Sequence, residues 1–356
     1  MPPPSIVSSA DPDQGAPGVG KGRDGNMSIQ ATIGAGAQPD ARLASPPTST
    51  GRLLGGFARL GWALAAVGFG ASALTLGGSA TVAHFLTRPR DLRRVAPRTI
   101  DASVAPVTFR TVDGLALDGW YLAHPAARDA LILCHGFAMH RRELLDVAQG
   151  LHARGHAVLL FDFRAHGTSE GRRSTIGFRE TQDIAAAVDF LRARPELAGC
   201  PIGVAGISMG AAAALLATAR DPRIGAVAAD SSFATLEAIA AHGLRSFCRL
   251  PAFPFTPLVL RFSELLTAAR IRANRPIDAI PAIAPRPVLL IHDETDQLVP
   301  VAHTRALYAA AGEPKECWIT SGLGHASLWL HLAPEYIARL DAFFTRALAT
   351  PARLAA

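Results

Sequence analysis

The sequence predicts an α/β fold: a mostly parallel, eight-stranded sheet with helices on both faces, a small helical lid, and a transmembrane helix ahead of it. Three observations carry this. From about residue 100, short β-rich runs alternate with segments whose apolar residues recur every three or four positions. Gly206-Ile207-Ser208-Met209-Gly210 stands between one such run and one such segment. And residues 60–87, 28 in all, contain no Asp, Glu, Lys or Arg.

In chain order, residues 1–51 are dominated by Pro, Gly, Ala, Ser and Thr without apolar periodicity. Such a stretch buries too little apolar surface to offset its ordering entropy and is expected to be a disordered tail. The uncharged span that follows exceeds the roughly 20 residues a helix needs to cross a bilayer core. Its glycines at 61, 68, 70, 77 and 78 weaken a soluble helix but are tolerated in a membrane. A single transmembrane anchor over 57–87 is therefore expected. A secretory signal with Met27 as the start and a buried core helix are the other two readings. Arg88, Arg90, Arg93, Arg94 and Arg98 against Asp91 make a basic flank. With Arg42, Arg52 and Arg59 on the other side, the lean is slightly towards a cytoplasmic globular part.

Strands are expected at Val107–Thr111 and Leu117–Leu122, joined by an Asp113-Gly114 turn, then at Ala130–Cys134, Ala157–Phe161, Ile202–Ala205, Ile224–Ala228, Pro287–Ile291 and Glu316–Thr320. The middle runs are continuously apolar, as in strands covered on both faces. Helices are expected at Arg141–Arg154, Phe178–Arg194, Met209–Arg220, Ala302–Ala311 and Glu335–Leu348. The 56 residues between Asp230 and Pro287 are too many for a simple connection. They are read as an apolar lid, about 233–280, with its apolar run at Leu250–Leu260 and a helix-like segment at Arg261–Arg272.

Composition narrows the function. The net charge of +6 comes from dispersed arginines without aromatic interleaving, so no nucleic-acid partner is expected. Cys134, Cys200, Cys248 and Cys317 have no metal-ligand spacing, so neither a metal nor an organic cofactor is expected. The four are read as ordinary buried thiols, and a reducing compartment is weakly favoured.

Ser208 is the candidate nucleophile, because a strand-to-helix turn with small neighbours exposes a serine hydroxyl above the sheet. The base is His325, in a glycine-rich loop after the last strand, and the acid is Asp296, past the strand Pro287–Ile291, with Asp293 in reserve. The N–H groups of Phe137 and Met209 are the expected oxyanion hole. His135 is read as positioning the loop that carries Phe137, and His140 as a surface residue.

His135-Gly136-Phe137, the run Phe161–Ser169, Gly206–Gly210, Asp296 with Val299-Pro300, and Gly324-His325 together resemble the α/β-hydrolase superfamily. The resemblance spans about residues 100–350 and is strongest to α/β-hydrolase-domain serine hydrolases, acylglycerol lipases and serine aminopeptidases. It implies an α/β-hydrolase fold and structural roles for Arg164 and His166. The sequence departs from the pattern at His292-Asp293, where relatives often carry His-Gly. The implied activity is cleavage of carboxylic esters or thioesters, with a small-molecule or lipid-like substrate; the apolar span ahead of it adds the expectation of a single-pass protein, in a bacterial inner membrane. A serine aminopeptidase and a non-catalytic membrane-tethered binding module are the alternatives. The first needs acidic groups in the lid, where Ser231–Arg272 offers only Glu237 and Glu264.

Overall fold

A computed structural model describes residues 49–89 and 104–349. Most of the expected tail (1–48) and Arg90, Arg93, Arg94 and Arg98 lie outside the described residues. The first helix, α1, runs over Ser49–Leu86, longer than expected at its N-terminal end. Its stretch Arg59–Leu86 is long and apolar enough to cross a membrane.

The strands are β1 (Ala105–Arg110), β2 (Ala116–Leu122), β3 (Ala130–Cys134), β4 (Ala157–Phe161), β5 (Ile202–Ile207), β6 (Ile224–Asp230), β7 (Val288–Asp293) and β8 (Lys315–Thr320). They form one sheet in the order β1-β2-β4-β3-β5-β6-β7-β8. Pairing is antiparallel from β1 through β4 by way of β2 and parallel thereafter. Helices connect the parallel strands: α2 (Leu145–His152), α3 (Glu180–Arg192), α4 (Met209–Arg220), and then α5 (Leu236–Ser246), α6 (Ala252–Thr267) and α7 (Pro276–Ala279) between β6 and β7. After β7 come α8 (Ala302–Ala310), α9 (Leu328–His331) and α10 (Ala333–Ala349).

Strand alternation divides the core in two. Ala130, Ile132 and Cys134 of β3 join one apolar cluster, packed under α3 and α4, while Leu131 and Leu133 join the other, under α2 and α10. β4 divides in the same way, with Leu159 and Phe161 on one side and Val158 and Leu160 on the other. Both faces are covered, so these strands have no polar alternation to show. Each fully buried Leu or Phe contributes roughly 1.5–3 kcal/mol relative to exposure.

Two sequence expectations need correction. The insertion after β6 already opens with α5, and its second helix runs over Ala252–Thr267 rather than over Arg261–Arg272. Phe253 has extended dihedrals, so the regular helix begins at Pro254, and Pro257 falls in its first turn, where few ladder bonds exist to be lost. Second, Cys248 and Cys317 are exposed, and only Cys134 is fully buried. Cys248 sits in the link between α5 and α6, and Cys317 on β8, the edge strand.

Candidate active site

The turn from β5 into α4 is built by its glycines. A Cβ on Gly206 would lie 2.4 Å from the Gly210 carbonyl oxygen, and one on Gly210 would lie 2.5 Å from the carbonyl oxygens of both Cys134 and His135. Only hydrogen fits at either place, which lets α4 start flush against the end of β3. Ser208 is held at φ 53°, ψ −113°, a conformation costly for a residue with a side chain. Its N–H donates to the Asp230 carbonyl (2.8 Å), which ties the turn to the end of β6. Gly210→Ala is accordingly expected to destabilise the protein by about 3 kcal/mol, because the blocking atoms are backbone. Urea unfolding monitored by circular dichroism reads this directly.

Ser208 Oγ lies 3.0 Å from His325 Nε2, and His325 Nδ1 lies 2.6 Å from Asp296 Oδ2. Residues 117 positions apart thus meet at the carboxyl end of the sheet. The other Asp296 oxygen accepts from the N–H groups of Leu298 (2.9 Å) and Val299 (2.8 Å). Burial works to raise the Asp296 carboxyl, but the His292 and His325 imidazoles beside it outweigh burial and hold it down at about 2. It is therefore an anion at neutral pH, fixing the imidazole with Nδ1 protonated and Nε2 free to accept.

Asp293 is not paired with His325. It accepts from Thr295 N–H (2.9 Å) and Oγ1–H (2.5 Å), Thr320 Oγ1–H (2.8 Å) and Gly324 N–H (3.0 Å). One carboxylate thus fastens the loop carrying Asp296 to the loop carrying His325. The neighbouring His292 is fully buried between the Val299 carbonyl (2.8 Å) and Thr304 Oγ1 (2.7 Å).

Gly136 brings the loop after β3 against the turn that carries Ser208, since a Cβ there would sit 3.5 Å from Ser208 Cβ. That loop carries Phe137, whose N–H meets no protein acceptor among the described residues. The N–H of Met209, the first residue of α4, has no acceptor within the helix either. His135 is buried; Nδ1 donates to the Gly136 carbonyl (2.7 Å) and Nε2 accepts from Phe163 N–H (3.0 Å), tying this loop to the end of β4. His140, partly exposed, caps the following turn reciprocally with Glu143. Arg164 is buried against Asp183 (2.6 Å) and Asp113 (2.8 Å), and His166 Nδ1 donates to the Arg164 carbonyl (2.9 Å). These contacts support the loop after β4.

Sequence reasoning missed Asp230 and Ser231. Ser231 Oγ donates to Asp230 Oδ1 (2.9 Å) and accepts from Ala326 N–H (3.2 Å), next to His325. The sequence signal was a lone carboxylate closing the apolar run Ile224–Ala229; strand pairing then sets Asp230 opposite Ile207, just before Ser208. Burial raises the Asp230 carboxyl to about 6, against the opposing effects of Ser231 and of the nearby His292 and His325 imidazoles. A carboxyl raised on folding adds stability below its unfolded pKa and loses it as pH rises through the folded one. Wild type is thus expected to lose up to about 3 kcal/mol between pH 4 and 7 that Asp230→Asn retains. Parallel urea titrations of the two proteins across that range would show it, and identical pH profiles would refute it.

A mostly parallel sheet with this strand order, a strained serine between β5 and α4, and loops after β7 and β8 converging on it define an α/β hydrolase, and the chain belongs to that superfamily. Residues 125–252 match the family described as "Serine aminopeptidase, S33". The chain is 34% identical over 215 residues to the uncharacterized protein YqkD of Bacillus subtilis, a stretch covering 60% of this chain and 70% of that protein. It is 36% identical over 126 residues to the thiohydrolase apmlB of Arthrinium phaeospermum, covering 35% and 41%. Among solved structures, the Pyrococcus furiosus esterase Pf2001 superposes with a TM-score of 0.61 at 28% identity, covering 74% of this chain and 98% of the esterase.

Proposed function

We propose that this hydrolase is a membrane-anchored serine esterase or thioesterase, with Ser208 as nucleophile, His325 as general base and Asp296 as the acid that orients it. The observation that carries the reading is the pair of contacts at 3.0 and 2.6 Å that links the three side chains. In the first half-reaction His325 Nε2 takes the Ser208 proton as Oγ attacks the acyl carbon. The N–H groups of Phe137 and Met209 receive the negative charge that develops on the carbonyl oxygen. His325 then protonates the departing alcohol or thiol, leaving an acyl-serine. Water, deprotonated by His325, releases the acid and regenerates Ser208.

Acyl substrates are favoured by the insertion after β6, read as a lid over about 233–280. Phe247 (59% exposed) and Phe253 (80% exposed) project from it into solvent. The thiohydrolase relative extends the range to thioesters, whose tetrahedral chemistry needs the same groups. The serine aminopeptidase alternative is disfavoured at the acids it requires: Glu264 is engaged by Arg261 and Arg272, and Glu237 stands in the field of Arg275. A non-catalytic binding module would have no use for a strained serine beside an oriented imidazole.

For the anchor, the support is α1 itself. Trp62, Phe69 and Leu74 are each nearly four-fifths exposed on a helix without a charge between Leu60 and Leu86. A core helix would be covered. The basic flank after Leu86 leans towards a cytoplasmic catalytic unit.

The test is turnover of p-nitrophenyl esters from acetate to palmitate, with acyl thioesters alongside, by the full chain in neutral detergent, combined with fluorophosphonate labelling. Labelling at Ser208 with an optimum at some chain length is expected. No turnover and no label on folded protein would leave the binding module as the better reading.

A further inference from the structure

Two cavities of about 780 and 800 Å³ open among the described residues, and neither is lined by Ser208 or His325. The first has an unusual lining. It holds Arg88, Arg164, Arg172, Arg173 and Arg179, with Asp113 as the acid among its described lining residues. Asp113 is already spent on Arg164, together with Asp183. The other four arginines have no carboxylate within 4 Å among the described residues. Arg173 donates to Thr87 Oγ1 (2.8 Å) and Arg179 to the Ala268 carbonyl (2.7 Å), both neutral acceptors. Arg88 and Arg172 are exposed, with no side-chain partner there.

Four guanidinium groups around one concavity repel one another, and they gain most from an anion with several oxygens. Phosphate suits them, because each planar fork can donate two parallel hydrogen bonds to it. Position selects the source of that phosphate. Arg88 follows the end of α1 by two residues. Thr87 is buried there, its carbonyl accepting from Ser174 N–H (2.9 Å), so the end of the apolar span is stitched to the loop that supplies Arg172 and Arg173. Leu266 and Thr267, at the end of α6, form another wall, beside the exposed Leu265. The cavity is therefore anchored where a helix leaves hydrocarbon, the depth at which lipid phosphates lie.

We infer that this arginine-lined cavity binds the phosphate headgroup of an anionic membrane lipid, seating the catalytic unit against the membrane surface. The inference rests on the reading of α1 as a membrane span. Carbonate extraction of membranes holding the full chain tests that reading by itself, since release into the soluble fraction would remove the span whatever the cavity binds.

The cavity is tested on the full chain in neutral detergent by following thermal unfolding with dioctanoyl phosphatidylglycerol, dioctanoyl phosphatidylcholine or inorganic phosphate. Phosphatidylglycerol is expected to raise Tm saturably, phosphatidylcholine to leave it unchanged, and inorganic phosphate to act only at far higher concentration. Arg172→Gln should weaken the phosphatidylglycerol response about tenfold, and Arg88→Gln with Arg172→Gln about a hundredfold. Ligand-free Tm and hydrolysis of a short soluble ester should stay as in wild type. An undiminished response in the double variant would overturn the site. Equal stabilisation by phosphatidylcholine would overturn the headgroup, and equal potency of inorganic phosphate would make this a free-phosphate site instead.

Discussion

Ser208→Ala is expected to lower kcat on a p-nitrophenyl ester by about 10⁶-fold and to abolish fluorophosphonate labelling. The effect is this large because the substitution removes the attacking atom and leaves the rest of the machinery without a task. His325 would keep its Asp296 partner, but Nε2 would face a methyl group. Among the described residues, no other hydroxyl is hydrogen-bonded to His325 Nε2. Ser231 is buried, and its Oγ is occupied by Asp230 and the Ala326 N–H. The fold should be indifferent, since the Ser208 hydroxyl has His325 as its side-chain partner and the turn's backbone ties run through its N–H and carbonyl. Unfolding midpoints of the two proteins should therefore coincide. Activity within tenfold of wild type, with label still on the protein, would remove Ser208 from the mechanism.

Asp296→Asn is expected to cost about 10⁴-fold in kcat with little change in KM. An amide in this place can offer its NH₂ to His325 Nδ1 and so stabilise the tautomer with Nε2 protonated, which cannot take the serine proton. It also withdraws the negative charge that steadies the imidazolium during attack. Because Asp296 is held at about 2, it stays ionised down to strongly acid pH. Its share of stability, present above the ordinary carboxyl pKa, should fade only as pH falls towards that value. Asp293→Asn is the matched control. Its four hydrogen bonds fasten two loops and none reaches the imidazole, so it should lose about 3 kcal/mol of stability while keeping kcat within about tenfold. If the two variants exchanged these phenotypes, Asp293 would be the acid and the assignment made here would be wrong.

The difficulty of choosing between Asp293 and Asp296 from sequence has a physical origin. Asp293 ends β7 and Asp296 follows it by three residues in the next loop, so on sequence distance alone either could meet a histidine of a neighbouring loop. The choice depends on register: β7 pairs with β8 so that Asp293 stands opposite Thr320, which gives its carboxylate to Thr320 and Gly324. Asp296, three residues further on, is then the one that reaches His325. The departure at His292-Asp293 is likewise explained by the structure, where Asp293 serves as a fastening between the two loops. Ser231 escaped notice for a related reason. Its contact with Ala326 spans 95 positions and exists only because β6 and β8 flank β7.

What the sequence determined by itself is what neighbouring residues decide among themselves. Short continuous apolar runs set the strands and three-to-four-residue periods set the helices, most within two residues of their observed ends, because a strand covered on both faces shows no polar alternation while a helix repeats every 3.6 residues. Gly206 and Gly210 around Ser208 mark a tight strand-to-helix turn, since a Cβ on Gly206 would meet the Gly210 backbone four residues on. The uncharged run after Arg59 announced a helix, because nothing in it needs water. Tertiary structure alone decided the rest. The place of β4 between β2 and β3, the pairing of Asp296 rather than Asp293, and the gathering of Arg88, Arg172, Arg173 and Arg179 around one cavity all depend on contacts between distant segments. Those contacts follow from how the sheet buries both its faces at once, a condition on the whole chain that no local pattern contains.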